Sequence, residues 1–164
     1  SFTAEGWLKW TGAQEPGRLV IAGTYDSAAD APGGWQLVLD TTGAVPALKL
    51  RVKERHPVDV VAEGVLLADA SALRGTWRHL ALRYDNADGN GTWSLLLDGR
   101  STGTVVRNAW TPVEPLGMRN FRLGACSGET SCAGAYDMWR IKGGVLGKDE
   151  LLWKYLGGMS IILR

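Results

Sequence analysis

Apolar and polar residues alternate with a period of two along most of the chain. Leu48, Leu50 and Val52 alternate with Lys49, Arg51 and Lys53, while Trp35, Leu37 and Leu39 share one side of another segment. The same spacing groups Leu80, Leu82 and Tyr84, and then Trp93, Leu95 and Leu97. This is the pattern of strands with one buried and one wet face, as antiparallel sheets require. Strands are expected at Phe2 to Thr11, Arg18 to Thr24, Trp35 to Asp40, Ala47 to Lys53, Val58 to Val61, Trp77 to Tyr84, Thr92 to Asp98, Thr102 to Arg107, Asn120 to Gly124 and Ala135 to Ile141. Between them stand Glu15-Pro16-Gly17, Pro32-Gly33-Gly34, Thr41-Thr42-Gly43 and the stretch from Asn86 to Gly91, all rich in turn-forming residues. Asp98-Gly99 predicts a type I′ hairpin, whose two central residues both need φ > 0. One short helix is expected over Lys148 to Leu156, with Leu151, Leu152 and Tyr155 on one stripe and Gly157-Gly158 ending it. Strands at this spacing predict an all-β sandwich or barrel.

Length and charge narrow the picture. The 164 residues fit a single domain, 1–164, within the usual range of about 100 to 200. Lys plus Arg number 18 against 17 Asp plus Glu, a net charge of +1 spread without runs, so the electrostatics favour neither nucleic acid nor an anionic membrane surface. No apolar run approaches the ~20 residues of a membrane span, so no membrane insertion is expected. Gly (22 residues) is nearly twice as frequent as the usual ~7%, and eight Trp accompany two Phe. Many turns, and strand faces filled by indole, are the expected result.

Cys126 and Cys132 stand six apart in GACSGETSCAGA, flanked by small polar residues. A local disulfide is expected, closing a short loop with a chain-entropy gain of about 2 kcal/mol and implying an oxidising compartment. The alternative is two cytosolic thiols. A zinc site is disfavoured, because no C-x-x-C or neighbouring His supplies further ligands.

From Gly75 the chain reads GTWRHLALRYDNADGNGTWSLLLDGR, then FRLGA, then GAYDMWRIKGGVLGKDEL; it opens with FTAEGWLKW. This series resembles the laminin G-like, concanavalin A-like jelly-roll family, through Phe2, Thr3 and Trp7; Trp77, His79 and Ala81; Asp98 and Gly99; Leu123 and Gly124; then Gly134 and Asp137. The resemblance implies an all-β, antiparallel two-sheet jelly-roll sandwich with one short C-terminal helix. Family domains usually begin with one further strand, so the chain is read as a piece of a longer one. The resemblance also implies a recognition or assembly module of a secreted or cell-surface protein.

The candidate chemistry follows from individual residues. Period-two phase puts Asp137 on the face of Trp139 and Ile141, where a buried carboxylate needs compensation. Two roles stay open for it: a Ca²⁺ ligand, as in calcium-binding members of the superfamily, or a structural carboxylate bonded to backbone N–H groups or an Arg. His79 has no nucleophile motif such as G-x-S-x-G beside it and is expected to be a packed, hydrogen-bonded core residue. Most Trp belong to the core, with Trp110 in RNAWTPVEPLG the best exposed indole for stacking on a sugar. Tyr25, Asp26 and Asn108 join it as expected ligand contacts on rim loops. The E-x-D-x-x-E arrangement of jelly-roll glycoside hydrolases is absent, so no catalysis is expected. Two partners are then in view: a glycan, or a neighbouring protein domain, including self-association through strand edges.

Overall fold

The computed structural model describes residues 1–24, 34–53, 61–107, 121–124, 129–152 and 160–163. They form two compact units, each carrying one sheet. The described residues include twelve strands: β1 (Phe2–Trp10), β2 (Arg18–Gly23), β3 (Gly34–Asp40), β4 (Ala47–Lys53), β5 (Val61–Leu67), β6 (Arg78–Asp85), β7 (Thr92–Leu97), β8 (Arg100–Arg107), β9 (Arg122–Leu123), β10 (Thr130–Ser131), β11 (Gly134–Gly143) and β12 (Ser160–Leu163).

The first unit is built on the six-stranded antiparallel order β12-β11-β1-β6-β7-β8. Its register sets Phe2 opposite Tyr84, and Tyr84 opposite Trp93, so these rings share a face. Ring centroids lie 5.7 Å apart for Phe2–Tyr84 and for Phe2–Trp93, and 4.5 Å apart for Tyr84–Trp93. Leu80, Leu82 and Leu95 extend the same buried face. The expected grouping of leucines and aromatics in β6 and β7 is therefore the observed one. Asp98 and Gly99 join β7 to β8 with φ of 49° and 71°, as the type I′ signal requires. Gly6 is needed because Trp139 lies against it: an added Cβ would stand 2.4 Å from the indole.

The second unit carries the order β10-β2-β3-β4-β5, with β9 also paired to β2. All pairings are antiparallel except the short parallel one between β10 and β2. Trp35, Leu37, Leu39, Leu48, Leu50 and Val52 fill one face and are almost wholly buried. Of the strand expected at Val58 to Val61, residues 58–60 lie outside the described residues, and β5 runs from Val61 to Leu67; β8 and β11 begin earlier than expected, and β10 and β12 join sheets from stretches that alternation did not mark. Of the expected helix, Lys148–Glu150 form a 3-10 turn after which Leu151 is extended (φ −78°, ψ 152°), and residues 153–156 lie outside the described residues.

Candidate functional site

Tyr25, Asp26, Asn108, Trp110 and Cys126 lie outside the described residues. Cys132, the other half of the expected disulfide, is buried, and its amide donates to the Val20 carbonyl (2.8 Å). The described residues nevertheless place a polar array on the second sheet. Register sets Gln36 opposite Arg51, and Arg51 opposite Glu63, in one row across β3, β4 and β5. The next row on this face holds Val20, Val38, Lys49 and Val65, and beyond it stand Arg18 and Asp40.

Arg51 is the centre of the array. Its Nη1 donates to Gln36 Oε1 at 3.1 Å and to Glu129 Oε1 at 3.4 Å, and its Nε stands 3.3 Å from Glu63 Oε1. Gln36 closes the circuit, donating from Nε2 to Glu129 Oε2 at 2.7 Å. Arg18 reaches the same Glu63 oxygen from β2, at 3.2 Å. On a flat sheet that diagonal, three strands across and four positions along, would span roughly 19 Å, more than the two side chains bridge. Along this diagonal the sheet is therefore concave toward this face, as strand twist brings two of its corners together. Val20, Val38 and Gln36 form its buried floor, whereas the Arg18 side chain is 54% exposed and Val65 is 42% exposed. The flanks of residues 25–33 and 54–60, namely Thr24, Gly34, Lys53 and Val61, lie at the end of the sheet nearest the Gln36 row.

Asp40 anchors the far end of the face. Burial pushes its carboxyl up, but the Lys49 ammonium (2.7 Å) and the hydroxyl and amide of Thr42 outweigh that and hold it at about 2. A depressed folded value means that the carboxylate's stabilisation is complete above the unfolded Asp range near 3.8 and disappears as pH falls toward about 2. Asp40→Asn should therefore cost on the order of 2 kcal/mol at neutral pH and almost nothing near pH 2. Urea unfolding of both proteins across that range checks the sign; a cost independent of pH would contradict it.

A second polar cluster lies on the first sheet, on the face opposite the Phe2–Tyr84–Trp93 rings. Glu5 is wholly buried there, with Oε1 accepting from Arg140 Nε (2.6 Å) and Nη2, and Oε2 accepting from the Leu152 amide (2.9 Å). His79 Nε2 approaches Oε2 at 3.0 Å, off the hydrogen-bond axis. Thr3 Oγ1 donates to the Gly144 carbonyl and accepts from the Leu146 amide, and Arg140 donates to the Glu150 carbonyl. Residues 144–152 are thus strapped to β1, burying Leu146 and Leu151 against Ala81 and Leu96. His79 is packed as expected, edge-on to Trp7 at 5.3 Å, but neither ring nitrogen makes the expected hydrogen bond, and its carboxylate neighbour Glu5 has no signal in the sequence.

Asp137 requires a correction. Register pairs Glu5 with Arg140 but Trp7 with Asp137, so β11 carries one extra residue opposite Gly6, and Met138 there adopts φ 52°. This bulge reverses the alternation. Asp137 therefore shares the Glu5, Trp7 and His79 face, not that of Trp139 and Ile141. It is 8% exposed and its Oδ1 has no hydrogen-bond partner. Ca²⁺ needs six to eight oxygens. Among the described residues no three His, Cys, Asp or Glu side chains converge, and Asp137 is flanked in register by an indole.

Residues 1–152 match the family described as the Concanavalin A-like lectin/glucanases superfamily, Laminin_G_3. The chain belongs to that superfamily. Its two antiparallel sheets are those of a jelly-roll sandwich. Among solved structures it is similar to the CBM40 carbohydrate-binding module of the IT-sialidase from Ruminococcus gnavus, at 15% identity and a TM-score of 0.61, over 92% of this chain and 80% of that one. No curated protein matches it in sequence.

Proposed function

We propose that this member of the superfamily is a non-catalytic carbohydrate-binding module, and that the concave face of the β2–β5 sheet receives the sugar. The observation that carries this reading is the pre-ordered array of Gln36, Arg51, Glu63 and Glu129 beside the half-exposed Arg18. Sugar sites present a few fixed polar groups whose rotamers are set before the ligand arrives. The likeness to a carbohydrate-binding module supports the same reading. Hydrolysis would need two carboxyls straddling a glycosidic bond. Glu63 and Glu129 instead both turn toward Arg51.

A glycan array run with wild type and Arg18→Ala tests the proposal. Wild type should be retained by an oligosaccharide, and the variant, which loses a half-exposed side chain, should bind at least about tenfold more weakly with unchanged folding. No retention of wild type, together with concentration-dependent association in sedimentation, would instead favour a protein-assembly module acting through strand edges. β8 is the natural edge for such contact, being largely exposed, but Arg100, Arg107 and the kink at Gly103 (φ +80°) guard it. Retention is expected with Ca²⁺ or with chelator; binding lost in chelator would restore Asp137 as a metal ligand.

An extracellular or cell-surface location and a Cys126–Cys132 bridge go with this proposal. Intact mass without reductant should be two hydrogens lighter than the reduced chain, and an unchanged mass would remove the bridge.

A further inference from the structure

We infer that the Gln36 amide and the Arg51 guanidinium form a cradle for a saccharide carboxylate, filled here by Glu129 as an internal, displaceable ligand; the inference rests on the carbohydrate-binding reading. Arg51 donates from Nη1 to Gln36 Oε1 at 3.1 Å. A guanidinium only donates, so this bond fixes which end of the Gln36 amide faces which neighbour. The NH2 end is turned to Glu129, and Nε2 donates to its Oε2 at 2.7 Å. Arg51 Nη1 meets the other oxygen, Oε1, at 3.4 Å. One carboxylate is thus held by two donors, one on each oxygen.

The cradle does not depend on its occupant. Gln36 is oriented by Arg51, its partner in register, and Arg51 is steadied from another side by Glu63, whose Oε1 stands 3.3 Å from Nε. Glu129 arrives from elsewhere. It precedes β10, a two-residue strand on the far side of β2, and reaches across β2 to touch β3 and β4. Its side chain is 14% exposed above a Gln36 that is 1% exposed, so the cradle opens to solvent where Glu129 leaves it. Exchange also conserves charge: a ligand carboxylate in place of Glu129 meets the same two donors and the same neighbouring Glu63. A neutral group there would forfeit the charge-assisted bonds. Register also places Lys53, two positions from Arg51 along β4, and Arg122, opposite Gly23, on this face, where their charge draws an anion in.

Titration calorimetry with wild type, Glu129→Ala and Glu129→Gln tests the cradle. The probes are glucuronate-, galacturonate- and sialate-containing oligosaccharides, each beside its carboxyl methyl ester, and neutral oligosaccharides for comparison. Wild type should bind at least one carboxylated probe about fivefold or more tightly than its ester. An internal occupant lowers apparent affinity by the fraction of time that it leaves the cradle open, so Glu129→Ala should widen that ratio about tenfold or more. Glu129→Gln keeps the side chain's size and gives up its charge. It should move the ratio in the same direction, and it serves alone where Glu129→Ala does not fold. A ratio near one in wild type, or a ratio unchanged or smaller in the variants, overturns the inference while leaving carbohydrate binding in place. Failure of wild type to bind any oligosaccharide, the neutral ones included, overturns the carbohydrate reading itself.

Discussion

Glu5→Ala should destabilise the protein by about 3 to 5 kcal/mol, the cost typical of removing one partner from a buried ion pair. The carboxylate accepts from Arg140 and from the Leu152 amide and faces His79, all at a position with no solvent exposure. Removing it leaves Arg140 without its counter-charge and the Leu152 amide without its acceptor. The strap over residues 144–152 would then be held on this side by Thr3 and by the packing of Leu146 and Leu151. Burial pushes the Glu5 carboxyl up, but His79, the Leu152 amide and Arg140 together hold it below the usual carboxylate range. Its contribution is therefore present at neutral pH and is lost as pH falls through that depressed value. Urea unfolding should show the loss at pH 7, and hydrogen exchange should show the Leu152 amide, which loses its acceptor, losing protection before the Leu146 amide, which keeps Thr3. A cost below about 1 kcal/mol would mean that the cluster does not hold the strap.

Trp93→Ala should cost about 3 to 5 kcal/mol for a different reason, the cavity left by a wholly buried indole. Trp93 packs against Tyr84 at 4.5 Å and edge-on to Phe2 at 5.7 Å, so its removal takes contacts from β1 and β6 together. Trp93→Phe, which keeps an aromatic ring between them, should cost less than half as much. Thermal unfolding of the two variants gives the comparison, and equal losses would show that ring packing is not what Trp93 supplies. The prediction also separates the abundance of tryptophan from sugar recognition: Trp35 and Trp93 are buried in the two sheets, and Trp7 and Trp10 are buried on β1.

Alternation carried the sequence reading a long way, because it reports a local property of the strand. The β6 and β7 faces, the β3 and β4 faces and the Asp98-Gly99 turn all follow from it. It failed where the backbone departs from period two. Nothing in AYDMW announces that Met138 will take φ 52°, and that one residue moves Asp137 to the other face. Glu5 looked like an ordinary polar position in FTAEGWLKW, since its burial comes from a strap some 140 residues downstream. The Gln36, Arg51, Glu63 and Glu129 array was equally hidden. Each residue occupies an unremarkable polar position on its own strand, and only the register of β3, β4 and β5 brings the first three into one row. One signal was available: Gln36 and Arg51 alternate with leucines in strongly patterned strands, which marks both for the second face of their sheet. The curvature that lets Arg18 reach Glu63 has no counterpart in the sequence pattern.

The concave face is most directly tested by NMR chemical-shift mapping of the oligosaccharide that the protein retains. On titration, shifts should concentrate at Arg18, Gln36, Lys49, Arg51, Glu63 and Val65, with β8 and the Glu5 strap unmoved. Shifts centred on β8 or on residues 144–152, with the Gln36 row silent, would contradict the account.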